Sequence, residues 1–308
     1  MREVQGMREV QGMREAQDMR TVNGMTTMKR FAYCLGLCGV LWLTAPLALA
    51  QGYMFRTLNQ PVPGGIAVVP LGTSSQAPAV LYQKRPALVV KDSDGQWVAI
   101  VGINLKAKAG NHTLSVQTPK RAVSFTVGPK RYKEQHITLK DKKHVNPDPA
   151  QLRRYEREAK AQAQAYANFR DDIPSNVVLD RPVQGGRLSS PFGLRRFFNG
   201  QERNPHSGLD FAVPEGTPIS APADGVVTIV DDYFFNGKTI FIDHGQGLVT
   251  MYCHLSKFDV KVGDVVERGQ TIGRVGATGR ATGPHLHWNV SLNNNRVDPA
   301  IFINEFQP

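Results

Sequence analysis

Asn236-Gly-Lys-Thr-Ile-Phe-Ile-Asp243 runs through His244-Gly-Gln-Gly247 into Leu248-Val-Thr-Met-Tyr-Cys-His-Leu255. Asn-Gly favours the positive φ angles of a two-residue hairpin turn. The four residues at 244–247 form a second turn, so Lys238–Asp243 and Leu248–Tyr252 read as adjacent strands. Further short apolar runs occur at Gly225–Asp231, Val265–Val266, Thr271–Val275 and His285–Ser291. Gly263, Gly269, Gly273, Gly276, Gly279 and Gly283 punctuate them. From Val183 onward the chain therefore reads as an all-β domain of tightly turned strands.

Working upstream, Asn146-Pro-Asp-Pro149 interrupts the strand pattern and predicts a helix from Pro149 to Phe169. Asp148 can cap it and Pro149 can open it. Leu152, Tyr155, Ala159, Ala163, Tyr166 and Ala167 form one apolar stripe on it, that of a docking or spacer helix. Before the helix, Ile66–Pro70, Ala79–Tyr82, Ala87–Val90, Trp97–Ile103, His112–Val116, Ala122–Val127 and His136–Leu139 alternate with turn signals such as Asp94-Gly95. They suit a small β-sandwich. His112, His136 and His144 are scattered among basic residues there and read as surface groups.

The expected fold is thus mainly β: an N-terminal small β-sandwich-like domain (51–147), a linker helix and loop (148–182), and a C-terminal antiparallel β-domain (183–308). The 308 residues are enough for two such domains. A hydrophobic fraction of 41% excludes a wholly disordered chain, and the punctuation by 29 Gly and 20 Pro excludes a coiled coil.

The first fifty residues read differently. Residues 1–24 repeat a hexapeptide, Met-Arg-Glu-Val-Gln-Gly and variants, with no apolar face to bury. Residues 1–27 are therefore expected to be unstructured, or to lie upstream of the true start. Residues 28–50 have the layout of a secretory signal: Lys29-Arg30, an apolar run Phe31–Leu43, and Ala48-Leu-Ala50 as a cleavage site. An uncleaved anchor is the alternative, since Phe31–Leu49 approaches spanning length, but Pro46 and the Ala-x-Ala ending favour removal. No later stretch is apolar enough to span a bilayer. Export to the periplasm or cell envelope is the expectation, with no stable membrane span after cleavage. Of three cysteines, only Cys253 lies outside this leader, so no disulfide scaffold holds the mature fold.

Five of the eight histidines fall after residue 183, and four sit in short motifs: His206-Ser-Gly-Leu-Asp210, Tyr252-Cys-His-Leu255 and His285-Leu-His287. Pro205 and Gly208 argue for a loop or irregular strand around the first. In the last, alternation puts both imidazoles on one strand face, about 7 Å apart. Alternation points Cys253 away from His254, which makes it a small buried hydrophobe. His244 reads as a hydrogen-bonded structural residue. Two imidazoles and one carboxylate can hold a tetrahedral Zn²⁺ with a fourth position left for water.

On the strength of such motifs, Leu188–Pro299 resembles the LytM/lysostaphin-type family of peptidoglycan metalloendopeptidases. The resemblance is carried by Ser190-Pro-Phe-Gly-Leu-Arg195, His206-Ser-Gly-Leu-Asp210, Pro214-Glu-Gly-Thr-Pro218, Ala223-Asp-Gly-Val226, Tyr252-Cys-His-Leu255, Val262-Gly-Asp264, Gly269-Gln-Thr-Ile-Gly273, Gly276-Ala-Thr-Gly279 and Gly283-Pro-His-Leu-His287. It implies a LytM-type domain holding one Zn²⁺ on His206, Asp210 and His287. His254 and His285 would be the non-ligand catalytic histidines that handle protons and stabilise the oxyanion. It also implies peptidoglycan stem peptides as substrate, with D,D-cleavage of meso-diaminopimelate cross-links expected over glycine bridges. A catalytically silent member that activates another wall hydrolase is the alternative, although such members lack ligands and this chain keeps all five groups. A lipoyl-type carrier hairpin at Val262–Val275 lacks the lysine turn it would need.

The formal charge of +11 is concentrated in one segment: residues 51–147 carry 14 basic and 4 acidic groups, residues 183–308 carry 11 and 12. Export argues against nucleic acid as the polyanionic partner. The basic domain is expected to hold an anionic envelope surface, and docking over the groove would let it regulate access.

Overall fold

The computed structural model describes residues 51–138 and 146–307. The repeat, the signal-like segment, Leu139 and His144 lie outside the described residues.

The first part consists of helix α1 (Tyr53–Leu58) and strands β1 (Ile66–Gly72), β2 (Val80–Tyr82), β3 (Arg85–Pro86), β4 (Leu88–Lys91), β5 (Trp97–Gly102), β6 (Gly110–Gln117) and β7 (Lys120–Val127). They form two sheets, ordered β1-β5-β4 and β3-β2-β6-β7. Ala67, Val69, Val89, Ala99 and Val101 of one sheet pack with Val80, Tyr82, Leu114 and Val116 of the other. The opposite face of β1-β5-β4 is buried too: Ile66, Val68, Leu88, Val90, Val98 and Ile100 belong to the core of the C-terminal part. Burial on both faces explains why these strands read as unbroken apolar runs rather than alternating ones. The short helix α1 has no cap of its own; the buried Asp92 carboxylate accepts from the Met54 and Phe55 amides at 2.9 and 3.1 Å.

Next come strand β8 (Glu134–Ile137) and helix α2 (Pro149–Ala167). Asp148 and Gln151 close a capping box at the start of α2, as Asp148-Pro149 predicts. The stripe read from the sequence needs correction. Leu152, Ala163 and Ala167 are exposed, whereas Tyr155, Glu158, Ala159, Gln162 and Tyr166 face the protein. Two polar residues sit on the docking face because they have specific partners. Glu158 accepts from the Phe234 amide at 2.9 Å, and Gln162 accepts from Asn236 Nδ2 at 3.0 Å.

The C-terminal part holds β9 (Arg187–Ser190), β10 (Arg195–Phe198), β11 (Gln201–Glu202), β12 (Leu209–Ala212), β13 (Pro218–Ser220), β14 (Gly225–Tyr233), β15 (Gly237–Gly245), β16 (Leu248–Phe258), β17 (Val265–Val266), β18 (Thr271–Val275), β19 (Leu286–Leu292) and β20 (Asn295–Val297). Its main sheet runs β17-β14-β15-β16-β19-β12-β9, all neighbours antiparallel. The quoted hairpin occupies β15 and β16. Its alternation is visible in the packing: Ile240, Ile242, Leu248 and Tyr252 enter the large core. Phe241, Val249, Met251 and Cys253 point the other way and are covered by Tyr166 of α2. Gly237 has φ +62° and would place a Cβ 2.3 Å from Thr278 Oγ1, so the turn and the 278 loop together require glycine.

One strand changes company. The sequence groups His136–Leu139 with the first domain, but β8 leaves both of that domain's sheets and pairs in parallel with β10. Tyr132 makes the transfer: its hydroxyl donates to the Pro63 carbonyl at 2.6 Å while its ring packs edge-on against Phe192. Among the described residues no helix is long and apolar enough to cross a membrane.

Candidate active site

Asp210 on β12 and His287 on β19 are direct cross-strand partners, and Cys253 on β16 is the next residue across. Three neighbouring strands thus fix the carboxylate and one imidazole in register. His206 arrives from the loop before β12, tied to the 193–194 turn by main-chain bonds of 2.8 and 2.9 Å. His206 Nε2, Asp210 Oδ1 and His287 Nδ1 converge, with pairwise separations of 3.0, 3.0 and 2.7 Å. Gly208 permits this: a Cβ there would lie 2.7 Å from the His287 ring and 2.4 Å from the Trp288 carbonyl oxygen.

The chemistry of this donor set fits a divalent cation. His206 Nδ1 lies 2.7 Å from the Pro191 carbonyl, which only accepts, so Nδ1 carries the hydrogen and Nε2 turns a lone pair inward. Burial works against the Asp210 charge, but the His206 and His287 imidazoles outweigh it and hold the carboxyl well below its usual range. Burial pushes His287 down to about 4, despite the neighbouring Asp210. At neutral pH the cluster therefore offers an ionised Asp210 carboxylate and a neutral His287 imidazole, the protonation states a soft-to-borderline metal needs. Among the described residues this is the one such cluster. The other carboxylate oxygen, Oδ2, accepts from Arg196 Nη2 at 3.2 Å, and the same Nη2 lies 3.1 Å from Ser190 Oγ.

His254 and His285 stand beside the cluster, their ring centroids 4.7 Å apart and His254 6.1 Å from His287. His254 sits at a bulge in β16 with φ +64°, a left-handed conformation uncommon outside glycine. Its amide donates to the Asn236 carbonyl at 2.8 Å, and its Nδ1 lies 2.8 Å from the Thr278 carbonyl. His285 precedes β19, bridged to Gly276, with Nδ1 2.8 Å from the Gly283 carbonyl. Both Nδ1 atoms face acceptors, so the neutral form of either ring has its lone pair on Nε2. Burial, reinforced by His285 and His287, pushes His254 down to about 3.

All five residues line one cleft of about 1250 Å³, which also takes in Arg196, Arg280, Tyr155 and Ala163 of α2, and Lys106 after β5. Leu152 and Ala163, exposed members of the apolar stripe on α2, thus form part of a wall of the cleft.

Other sequence readings meet mixed outcomes. Cys253 is buried, 4.0 Å from Thr239 Oγ1, and burial pushes its thiol strongly up. His112 is not a loose surface group: its ring nitrogens lie 2.7 Å from the Tyr82 hydroxyl and 2.8 Å from the Lys108 carbonyl, because alternation in β6 turns it toward Tyr82 and Phe125. His136 is exposed but stacked on Phe197 at 4.6 Å. Arg196 and Gln135 carry no motif that marks them in the sequence. Only the alternation of Arg195 and Arg196 on a strand hints that one of them turns inward.

His244 is buried, with Nδ1 2.7 Å from the Asp224 carbonyl and Nε2 2.8 Å from Thr250 Oγ1. Burial pushes it down to about 4. An unfolded imidazole titrates near 6.5. Its share of stability is therefore complete above that pH and is lost as pH falls through about 4. The expected loss is roughly 3 kcal/mol. Urea midpoints between pH 7 and 4 should fall more steeply for wild type than for His244→Gln; parallel slopes would contradict this.

Two family sequence models match the chain: Peptidase family M23 over residues 204–299, and Peptidase family M23 N-terminal domain over residues 59–130. A solved protein of Pseudomonas aeruginosa, assigned to peptidase M23, is 52% identical with a TM-score of 0.71, over 83% of this chain and 100% of that one. The DD-carboxypeptidase/endopeptidase Mpg of Neisseria meningitidis is 43% identical over 119 residues, 39% of this chain and 27% of that protein. The peptidoglycan DD-endopeptidase ShyA of Vibrio cholerae is 45% identical over 113 residues, 36% of this chain and 26% of that one. The matches span about a quarter of these two curated relatives.

Proposed function

Because the chain belongs to peptidase family M23, we propose that it is a zinc-dependent endopeptidase of the cell envelope that hydrolyses peptide cross-links of peptidoglycan, with D,D-cleavage at meso-diaminopimelate. The observation that carries this reading is the convergence of His206 Nε2, Asp210 Oδ1 and His287 Nδ1 in a cleft flanked by two further histidines. Those three atoms would hold the ion. Zinc there would supply an electrophile for the peptide carbonyl and make water acidic enough to deprotonate near neutral pH.

The remaining work falls to the chain itself. A neutral imidazole at His254 or His285 accepts a proton at Nε2 from the attacking water, then returns it to the departing amine. Once it has taken up that proton, the same ring's Nε2–H donates to the oxygen that gains charge. The carbonyls of Thr278 and Gly283 keep both rings in the tautomer this requires. Arg196 holds the second oxygen of Asp210, leaving Oδ1 for the ion. Export through residues 28–50 would bring the enzyme to its substrate.

Muropeptide analysis of sacculi digested by the full mature chain tests the reading. Cross-linked dimers should disappear with a matching gain of monomers, a chelator should stop this, and added zinc should restore it. Persistence of dimers, or release of glycan fragments in their place, would refute it.

A further inference from the structure

We infer that Gln135, on a strand delivered from the N-terminal part of the chain, is a positioning residue for the metal-binding carboxylate of Asp210, acting through Arg196. The inference rests on the proposed role of Asp210 as a ligand.

Asp210 uses its two oxygens differently: Oδ1 lies among the imidazoles, and Oδ2 meets Arg196 Nη2 at 3.2 Å. A carboxylate held at both oxygens has a fixed plane, so the lone pairs of Oδ1 keep their aim. That aim is only as good as the placement of Arg196. The guanidinium is largely buried, its side chain 18% exposed, and its inner nitrogen Nε donates to Gln135 Oε1 at 3.1 Å. Nη2 divides itself between Ser190 Oγ and Asp210 Oδ2. Without the Gln135 acceptor, the Nε–H would have to find another partner by rotating the fork, which pulls Nη2 off Oδ2.

The main chain supports the same connection. In the parallel pairing of β8 with β10, Gln135 stands opposite Arg196. Flanking contacts lock that register: Arg195 Nη1 bonds Glu134 Oε1 at 2.6 Å, and His136 stacks on Phe197. The element carrying Gln135 comes from before helix α2, 75 residues upstream of Asp210 in sequence. The segment from the N-terminal part therefore completes the active site.

The full mature chain with Gln135→Met and Gln135→Glu tests this. Methionine keeps the length and loses the acceptor; glutamate keeps the acceptor. Three measurements are needed: zinc affinity by competition with a chromogenic chelator, kcat and KM on a soluble cross-linked muropeptide, and Tm of the zinc-free protein. Gln135→Met should bind zinc about tenfold more weakly, the lower end of what outer partners of a metal site carry. Its kcat should fall with KM little changed, and Tm should hold because β8 still pairs. Gln135→Glu should stay close to wild type in all three. Wild-type zinc affinity in Gln135→Met, or equal impairment of both variants, would overturn the inference. Weakened zinc binding in Gln135→Met alongside a wild type that cleaves no muropeptide would support the positioning role while removing the enzymatic reading.

Discussion

Replacing His206 or His287 with Ala is expected to strip the protein of zinc and to end release of monomers from cross-linked muropeptides. Each imidazole supplies one of three converging donors, with His206 Nε2 and His287 Nδ1 only 3.0 Å apart. Losing either leaves one nitrogen and one carboxylate oxygen, too few to hold the ion against water. Because a metal contributes several kcal/mol to the transition state, turnover should drop on the order of 10³-fold or more. The variant must be shown to fold. His206 is buried and bonded to the Pro191 carbonyl, so truncation creates a small cavity and removes that bond. Far-ultraviolet circular dichroism and Tm of zinc-free protein separate misfolding from loss of metal. Zinc content by mass spectrometry and chromatography of sacculus digests then measure the two expected losses. Ala variants that digest sacculi as well as wild type would sink the hydrolase reading, and intact binding with no wild-type cleavage would point to the silent activator.

How far the sequence announces the structure depends on how local each signal is. The hairpin of β15 and β16 is legible because Asn236-Gly237 and the alternation of Ile240, Phe241 and Ile242 are nearest-neighbour features. The start of α2 is legible from Asp148-Pro149 for the same reason. His206, Asp210, His254, His285 and His287 stand out because each lies in a short motif, and the fold brings all five into one cleft.

Other features depend on partners distant in sequence. The docking face of α2 includes Glu158 and Gln162, which look solvent-facing until the Phe234–Asn236 turn provides their partners. The positive φ of His254 has no glycine or asparagine to announce it; the Asn236 carbonyl and the 278 loop impose it. Gln135 and Arg196 are ordinary polar residues whose significance arises only when β8 crosses to β10. The apparent boundary after residue 147 hides this crossing, because the strand signal at His136 is the same whichever sheet it joins.

His254 allows metal binding and proton handling to be separated. It belongs to no hydrogen bond within the His206, Asp210 and His287 cluster, its own ring being held by the Thr278 carbonyl. Burial keeps it neutral at pH 7 with its lone pair on Nε2. Removing it should therefore leave zinc content and KM nearly unchanged while lowering kcat by about 10²- to 10⁴-fold, the usual share of a positioned acid–base group. Alanine is a poor probe here, since φ +64° is a left-handed conformation that histidine, asparagine and aspartate adopt far more readily than alanine does. Asparagine tolerates that backbone and lacks the ring. His254→Asn should thus keep the fold, keep the metal and lose turnover, as read by zinc stoichiometry and initial rates on a soluble muropeptide dimer. Turnover near wild type in that variant would take His254 out of the chemistry and leave His285 alone to move the proton. A fall in zinc content equal to the fall in rate would instead make His254 a support of the metal cluster.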